Sequence, residues 1–224
     1  MVATVFNLLC GGAFAQVTAS ASFTSDLVYR GFPVSDGAPA VSLNLAYDAP
    51  GGLYAGASAI GDDARRMGPR FLGHVEYAGY AFRPQWGPTL DAGVAHSNYV
   101  QFADSTDHID FTEFYTGLAT PSASAYLFYS PSYFSPGVRT LYADFNATVR
   151  PARTWRLIGH LGILTPVGGA GDHPERYDLR LGVAVPFKGG EAQLTWSDSR
   201  PDLDYPTRYV RGRGVVAFSI TRAF

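Results

Sequence analysis

Tyr177-Asp178-Leu179-Arg180-Leu181-Gly182-Val183-Ala184-Val185 is the stretch that decides the fold. Its odd positions are all apolar or aromatic, and its even positions carry Asp, Arg, Gly and Ala. Successive side chains of a β-strand point to opposite faces, so a period of two puts an apolar face against a polar one. A helix would need recurrence near 3.6 residues, and this stretch has none. The same alternation runs through Leu141, Ala143, Phe145, Ala147 and Val149, through Ala192, Leu194 and Trp196, and through Val41, Leu43, Leu45 and Tyr47.

Working outward with Pro, Gly and Asn/Asp turn signals gives twelve candidate strands. They lie near 17–32, 38–48, 53–60, 70–83, 87–99, 109–119, 122–134, 138–149, 154–165, 175–186, 190–198 and 209–224. Every second connection is tight: Ala49-Pro50-Gly51-Gly52, Pro84-Gln85-Trp86, Thr120-Pro121, Arg150-Pro151-Ala152-Arg153 and Phe187-Lys188-Gly189-Gly190. Most of the others, such as 61–69, 100–108, 166–174 and 199–208, are long and polar. Short turns on one side and long loops on the other are the habit of bacterial outer-membrane barrels.

Composition agrees. Aromatic residues make up 14% of the chain and charged residues 16%, well below the ~25% charge of a soluble domain. The mean hydropathy is near zero, as expected when half of each strand faces lipid and half faces water. The net charge of −2 excludes a nucleic-acid partner, which would call for a basic field. Residues 1–15 read as a signal peptide with a truncated n-region, ending in the Ala13-Phe14-Ala15 cleavage pattern. The barrel then occupies 16–224, and Cys10, the single cysteine, falls in the leader. The fold class is therefore all-β: a transmembrane, antiparallel, up-and-down β-barrel of about 12 strands in the outer membrane of a Gram-negative cell. Val216, Phe218, Ile220 and the final Phe224 share one face. Such an ending resembles the signal through which barrel-assembly machinery recognises its substrates.

Facing lipid at mid-membrane costs Arg or Lys about 2–4 kcal/mol, so strand charges are expected to line the interior. The pore-lining candidates are Asp26, Arg30, His74, Glu76, Asp91, Glu113, Asp144, Arg156, His160, Arg176, Asp178, Arg180, Glu191, Arg211 and Arg213. Inward Arg clusters would select anionic or polar solutes. The competing expectation is a set of inward ion pairs that fills the barrel, because twelve strands lie between the packed eight-stranded barrels and the open sixteen-stranded ones. Catalysis fits less well. No G-x-S-x-G occurs, and His96 and Ser97 are adjacent on a strand and so point apart. No cofactor or metal site is expected, and charged loops such as Asp62-Asp63 and Asp104 to Asp110 read as solvated.

Ser25-Asp26-Leu27-Val28-Tyr29-Arg30-Gly31-Phe32, with Ser35-Asp36-Gly37-Ala38-Pro39-Ala40, resembles the first hairpin of the TorF family of porins. Gly52-Leu53-Tyr54-Ala55-Gly56, Asp110 to Tyr115 and Tyr129 to Phe134 resemble later segments of that family. Leu27, Pro33, Val34 and Ser58 depart from its pattern. The resemblance implies an outer-membrane barrel with a pore role and brings no catalytic residues. The function expected is a porin-like channel for passive passage of small polar or anionic solutes. The alternatives are a plugged scaffold barrel without transport, then a lipid-modifying outer-membrane enzyme or a soluble lipocalin-like binder. Expected partners are outer-membrane lipid and lipopolysaccharide, the assembly machinery at Phe224, and a small polar solute.

Overall fold

The computed structural model describes residues 15–64, 68–100, 108–168, 174–201 and 214–224. The leader, the long-loop segments 65–67, 101–107 and 169–173, and Arg211 and Arg213 lie outside the described residues. Among the described residues fourteen strands follow in order: β1 (Gln16–Thr24), β2 (Val28–Tyr29), β3 (Phe32–Pro33), β4 (Ala40–Asp48), β5 (Leu53–Ala64), β6 (Gly68–Phe82) and β7 (Thr89–Tyr99) come first. They continue with β8 (Ile109–Ala119), β9 (Ala123–Ser130), β10 (Arg139–Ala152), β11 (Trp155–Gly168), β12 (Arg176–Phe187), β13 (Gly190–Arg200) and β14 (Val215–Ala223). All but β2 and β3 form one closed antiparallel barrel, each strand beside its neighbours in sequence. The seam is β1 on β14, with Phe23 opposite Ile220 and Ser20 opposite Ala223.

The alternation sets the faces. Leu43, Leu45, Phe145, Leu181, Val183, Leu194 and Phe218 stand exposed on the outer wall, while Ser42, Thr140, Asp178 and Ser197 on neighbouring positions are buried within. A barrel with an apolar outside and polar residues inside is a transmembrane barrel. Gln16 pairs with Asp48, and Ala223 hydrogen-bonds to Gly189. Both described chain ends therefore sit at the tight-turn rim, and the longer connections gather at the other.

Two expected strands are shorter than the sequence suggests. The first ends at Thr24 instead of running to residue 32. The chain turns into the lumen there, and β2 and β3 make a small hairpin of their own, with Tyr29 opposite Phe32. Arg30 and Gly31 form its two-residue turn with φ of 48° and 74°, the left-handed pair that tight hairpins favour. The seventh expected strand stops at Ser130, and Tyr133 and Phe134 beyond it also fold over the lumen. Buried Leu27, Tyr29, Phe32 and Val34 from the first loop pack with Leu72, Tyr99, Ile109, Phe111, Phe128 and Tyr133. An apolar core thus fills the loop-side half of the barrel.

One irregularity redirects a strand. Ile60 pairs with Gly73 but Gly61 pairs with Phe71, leaving Leu72 as an extra residue in β6. The bulge turns both Leu72 and Gly73 inward and inverts the alternation across it. At Gly73 an added Cβ would come within 2.1 Å of the Asn98 carbonyl oxygen, so the bulge requires glycine.

Leu181→Arg is expected to lower the unfolding free energy in lipid by about 2–4 kcal/mol, because the charge meets hydrocarbon. Gln193→Arg on the inner face should change it little. Denaturant titration of vesicle-inserted protein compares the two, and equal losses would show that the faces are misassigned.

Candidate functional site in the lumen

The lumen has two levels. At the loop side, the first-loop hairpin lies across the barrel. Its base is tied by Asp26, whose Oδ1 accepts from the Gly37 N–H (3.1 Å) and lies 3.0 Å from Ser35 Oγ. Ser35 Oγ accepts from the Leu27 N–H (2.8 Å), and the Val34 N–H donates to the Leu27 carbonyl (2.6 Å). Its tip packs on the β12–β13 wall: a Cβ on Gly31 would stand 2.7 Å from Ser199 Cβ and 2.8 Å from Asp178 Cβ.

The tip carries a charge into this core. Arg30 Nη2 sits 2.9 Å from Glu113 Oε1 and donates to Oε2 at 3.0 Å. The two side chains are only 9% and 5% exposed. The guanidinium is surrounded by rings, with Tyr142 at 3.7 Å, Tyr29 at 5.0 Å, Tyr133 at 5.3 Å and Phe128 at 5.5 Å. A buried charge persists only where a partner and polarisable surroundings replace its water. Glu113 supplies the counter-charge, and the ring faces supply the rest.

Below the guanidinium, Tyr142 Oη donates to Asp178 Oδ2 at 3.0 Å, and His160 Nε2 lies 2.7 Å from Asp178 Oδ1. His160 Nδ1 is 3.1 Å from Asn146 Oδ1, and Asn146 Nδ2 donates to Asp144. Arg176 and Asp178 line a small crevice with Arg30, Tyr133 and Tyr142. Toward the tight-turn rim the interior is half-exposed and polar. Tyr54 Oη donates to Asp91 Oδ1 (2.6 Å) and Tyr126 Oη to Asp91 Oδ2 (3.0 Å). Glycines on the adjacent strands make room for these rings, as Gly79 does for Tyr54. Arg156 pairs with Glu191 at 2.6 Å, and Arg83 with Asp48 at 2.8 Å at the rim.

Of the residues singled out from sequence, Asp91, Glu113, Asp144, Arg156, His160, Arg176, Asp178, Arg180 and Glu191 occupy lumen-facing strand positions. Asp26 and Arg30 belong to the inserted loop. His74 and Glu76 are a correction: they stand on the outer wall, in register with lipid-facing Ala59 and Ala57. The Leu72 bulge is the reason. Above it the even positions of β6 point inward, as Arg70 does toward Asp62 (2.7 Å); below it the odd positions do, so Val75 is buried. Sequence reading missed the ring cluster of Tyr29, Tyr133 and Tyr142. The available signal was the Arg30-Gly31 turn set between Asp26 and Asp36-Gly37. Among the described residues, no group of three or more His, Cys, Asp or Glu side chains could hold a metal ion.

A closed twelve-stranded barrel with lipid on one face and ion pairs on the other defines this chain as a bacterial outer-membrane β-barrel. It belongs to the family described as "Bacterial protein of unknown function (Gcw_chp)", which matches residues 11–224. That match does not extend to the TorF resemblance. No curated protein matches the chain. Among solved structures, the translocator domain of the autotransporter NalP from Neisseria meningitidis is similar at 11% identity and a TM-score of 0.46, covering 96% of this chain and 89% of that one. OmpT, an outer membrane protein of Vibrio cholerae in trimer form, gives 9% identity and 0.37, covering 94% and 98%. OmpF of Salmonella typhi, in complex with daunomycin, gives 8% and 0.39, covering 94% and 97%. Likenesses this loose carry nothing about function, and the barrel rests on its own strand ladder.

Removing one member of a buried ion pair costs about 3–5 kcal/mol. Glu113→Gln should therefore loosen the hairpin by an amount of that order, and amide exchange of residues 27–34 should accelerate while β10 to β13 stay protected. Gly31→Ala should do the same, since it adds a clash at positive φ. Unchanged exchange in both variants would mean that the tip contacts do not hold the loop.

Proposed function

We propose that the protein is an outer-membrane channel for small polar or anionic solutes, held shut by its own first loop. The observation that carries this reading is Arg30, a charged side chain placed at the tip of a loop inside the lumen and paired there with the wall. A barrel needing only to be filled is served as well or better by apolar side chains, since replacing a buried ion pair with hydrophobic residues is often neutral or stabilising. An ion pair fixes where the loop docks and still lets each charge find water once the loop leaves. Below the loop, the half-exposed lumen with Arg156, Arg180 and Glu191 supplies a polar path toward the tight turns, which face the periplasm in barrels of this kind. Arg176 and Arg180 on β12 put positive charge where a solute passing the loop would meet it.

The second reading, a closed scaffold, is favoured by the apolar packing of Leu27, Tyr29, Phe32 and Val34. Each such side chain contributes about 1.5–3 kcal/mol when buried, which makes spontaneous release of the loop rare. Both readings share lipid and lipopolysaccharide as surroundings and an assembly route through the Phe224 strand. In neither does the lumen do catalysis.

Planar-bilayer conductance separates them. The intact chain should conduct rarely, and a variant with residues 27–34 replaced by a short Gly-Ser link should conduct steadily. Arg180→Glu in that background should move selectivity away from anions. A shortened variant that keeps the heat-modifiable gel mobility of a folded barrel but passes no current would leave the scaffold reading standing.

A further inference from the structure

The outer wall is not uniformly apolar. Two neighbouring rungs of the ladder cross β5 to β8 on the lipid side: Ala57, Glu76, His96 and Thr112 form one, and Ala59, His74, Asn98 and Asp110 the next. Continued onto β4, the same rungs end on exposed Leu45 and Leu43, which fixes their face. The polar groups are linked along the wall: His96 Nδ1 lies 3.1 Å from Thr112 Oγ1, and His74 Nε2 lies 3.8 Å from Glu76 Oε1. Nevertheless, the Glu76 side chain is 62% exposed.

Depth makes this patch costly. On β6 it lies between outward Phe71 on the loop side and outward Tyr80 and Phe82 on the tight-turn side. Those aromatics bracket a lipid-facing band of about 25 Å, so His74 and Glu76 fall within it. Ionisable groups at such depth almost always meet protein or water, not acyl chains. Lipid A phosphates are poor occupants, because the two rungs hold carboxylates at Glu76 and Asp110 and neither Arg nor Lys.

We propose that this face, on β5 to β8, binds a second copy of the same chain within the membrane. The patch carries both kinds of partner: imidazoles at His74 and His96 can donate and Glu76 and Asp110 can accept, while the Asn98 amide oxygen already meets His108 Nε2 at 3.2 Å. A symmetric contact presents the same surface from both sides, so a donor on one copy can meet an acceptor on the facing copy. Ala55, Ala57 and Ala59 on β5, with Ala78 and Ala92 beside them, leave the wall low enough for close backbone approach, which is how small residues serve contacts inside membranes. The opposite wall lacks these properties: β12 shows Leu179, Leu181, Val183 and Val185 to the lipid.

Site-directed crosslinking in native outer membranes tests this, in a Cys10→Ser background. Ala57→Cys, opposite Glu76 on the same outward rung, should yield a crosslinked dimer band with a short bis-maleimide, and Leu181→Cys on the far wall should yield none. Equal crosslinking at both positions, or none at Ala57→Cys, overturns the proposal. Native mass spectrometry from lipid nanodiscs provides the second measurement. The intact chain should give two or more copies per particle, and a His74→Leu, Glu76→Leu double variant should drop to one. That variant makes the lipid face more apolar, so it should retain heat-modifiable mobility. A single copy for the intact chain, with or without bound lipopolysaccharide, overturns the proposal, as does a double variant that stays assembled.

Discussion

A peptide N–H or C=O inside hydrocarbon has no water to fall back on, and leaving one unpaired costs several kcal/mol. Twelve strands satisfy that demand only because the last one, β14, returns to pair with the first, β1. The rest of the architecture follows from the closed ladder. Each strand must divide its side chains between lipid and lumen, and a cylinder of this girth must fill or flood its interior. Here it does both, with a packed level under the loops and a wetter level above the tight turns.

The fold was legible because the solvent on the two faces differs so sharply. Strands such as β4, β12 and β13 have regular alternation, and their observed bounds lie within about two residues of those read from sequence. Legibility failed where the same composition serves another purpose. Val28, Tyr29 and Phe32 look like the continuation of β1, yet they form a separate hairpin, because Arg30 and Gly31 adopt positive φ and turn the chain inward. His74 and Glu76 are expected inward because strand charges avoid lipid, and a single extra residue at Leu72 shifts the parity of β6 and sets them outward. Bulges leave little trace in one sequence; the clue was Gly73, whose lack of a side chain matters only once Asn98 is beside it.

The lumen charges were recognisable individually but not as partners. Alternation says that Glu113, Asp178 and His160 point inward, and it is silent on what they meet. Arg30 pairs with a residue 83 positions away, and its rings come from the first loop, the β9–β10 connection, β9 and β10. Such a cluster is a product of topology: a loop leaving the seam is carried over the lumen to the far wall. Local sequence rules are broken at Arg30 in two ways, by a buried charge and by a left-handed backbone, and breaks of that kind concentrate where a protein acts.

The inserted hairpin also bears on mechanics. It is rooted between β1 and β4, touches β12 and β13 through Gly31 and grips β8 through Glu113, so it works as a transverse brace. A hollow cylinder under the lateral squeeze of a bilayer tends to go oval. A section filled with close-packed buried side chains resists such deformation, whereas the half-exposed section toward the tight turns resists it less. Changes in membrane tension would therefore reshape that lower vestibule first and leave the braced mouth round.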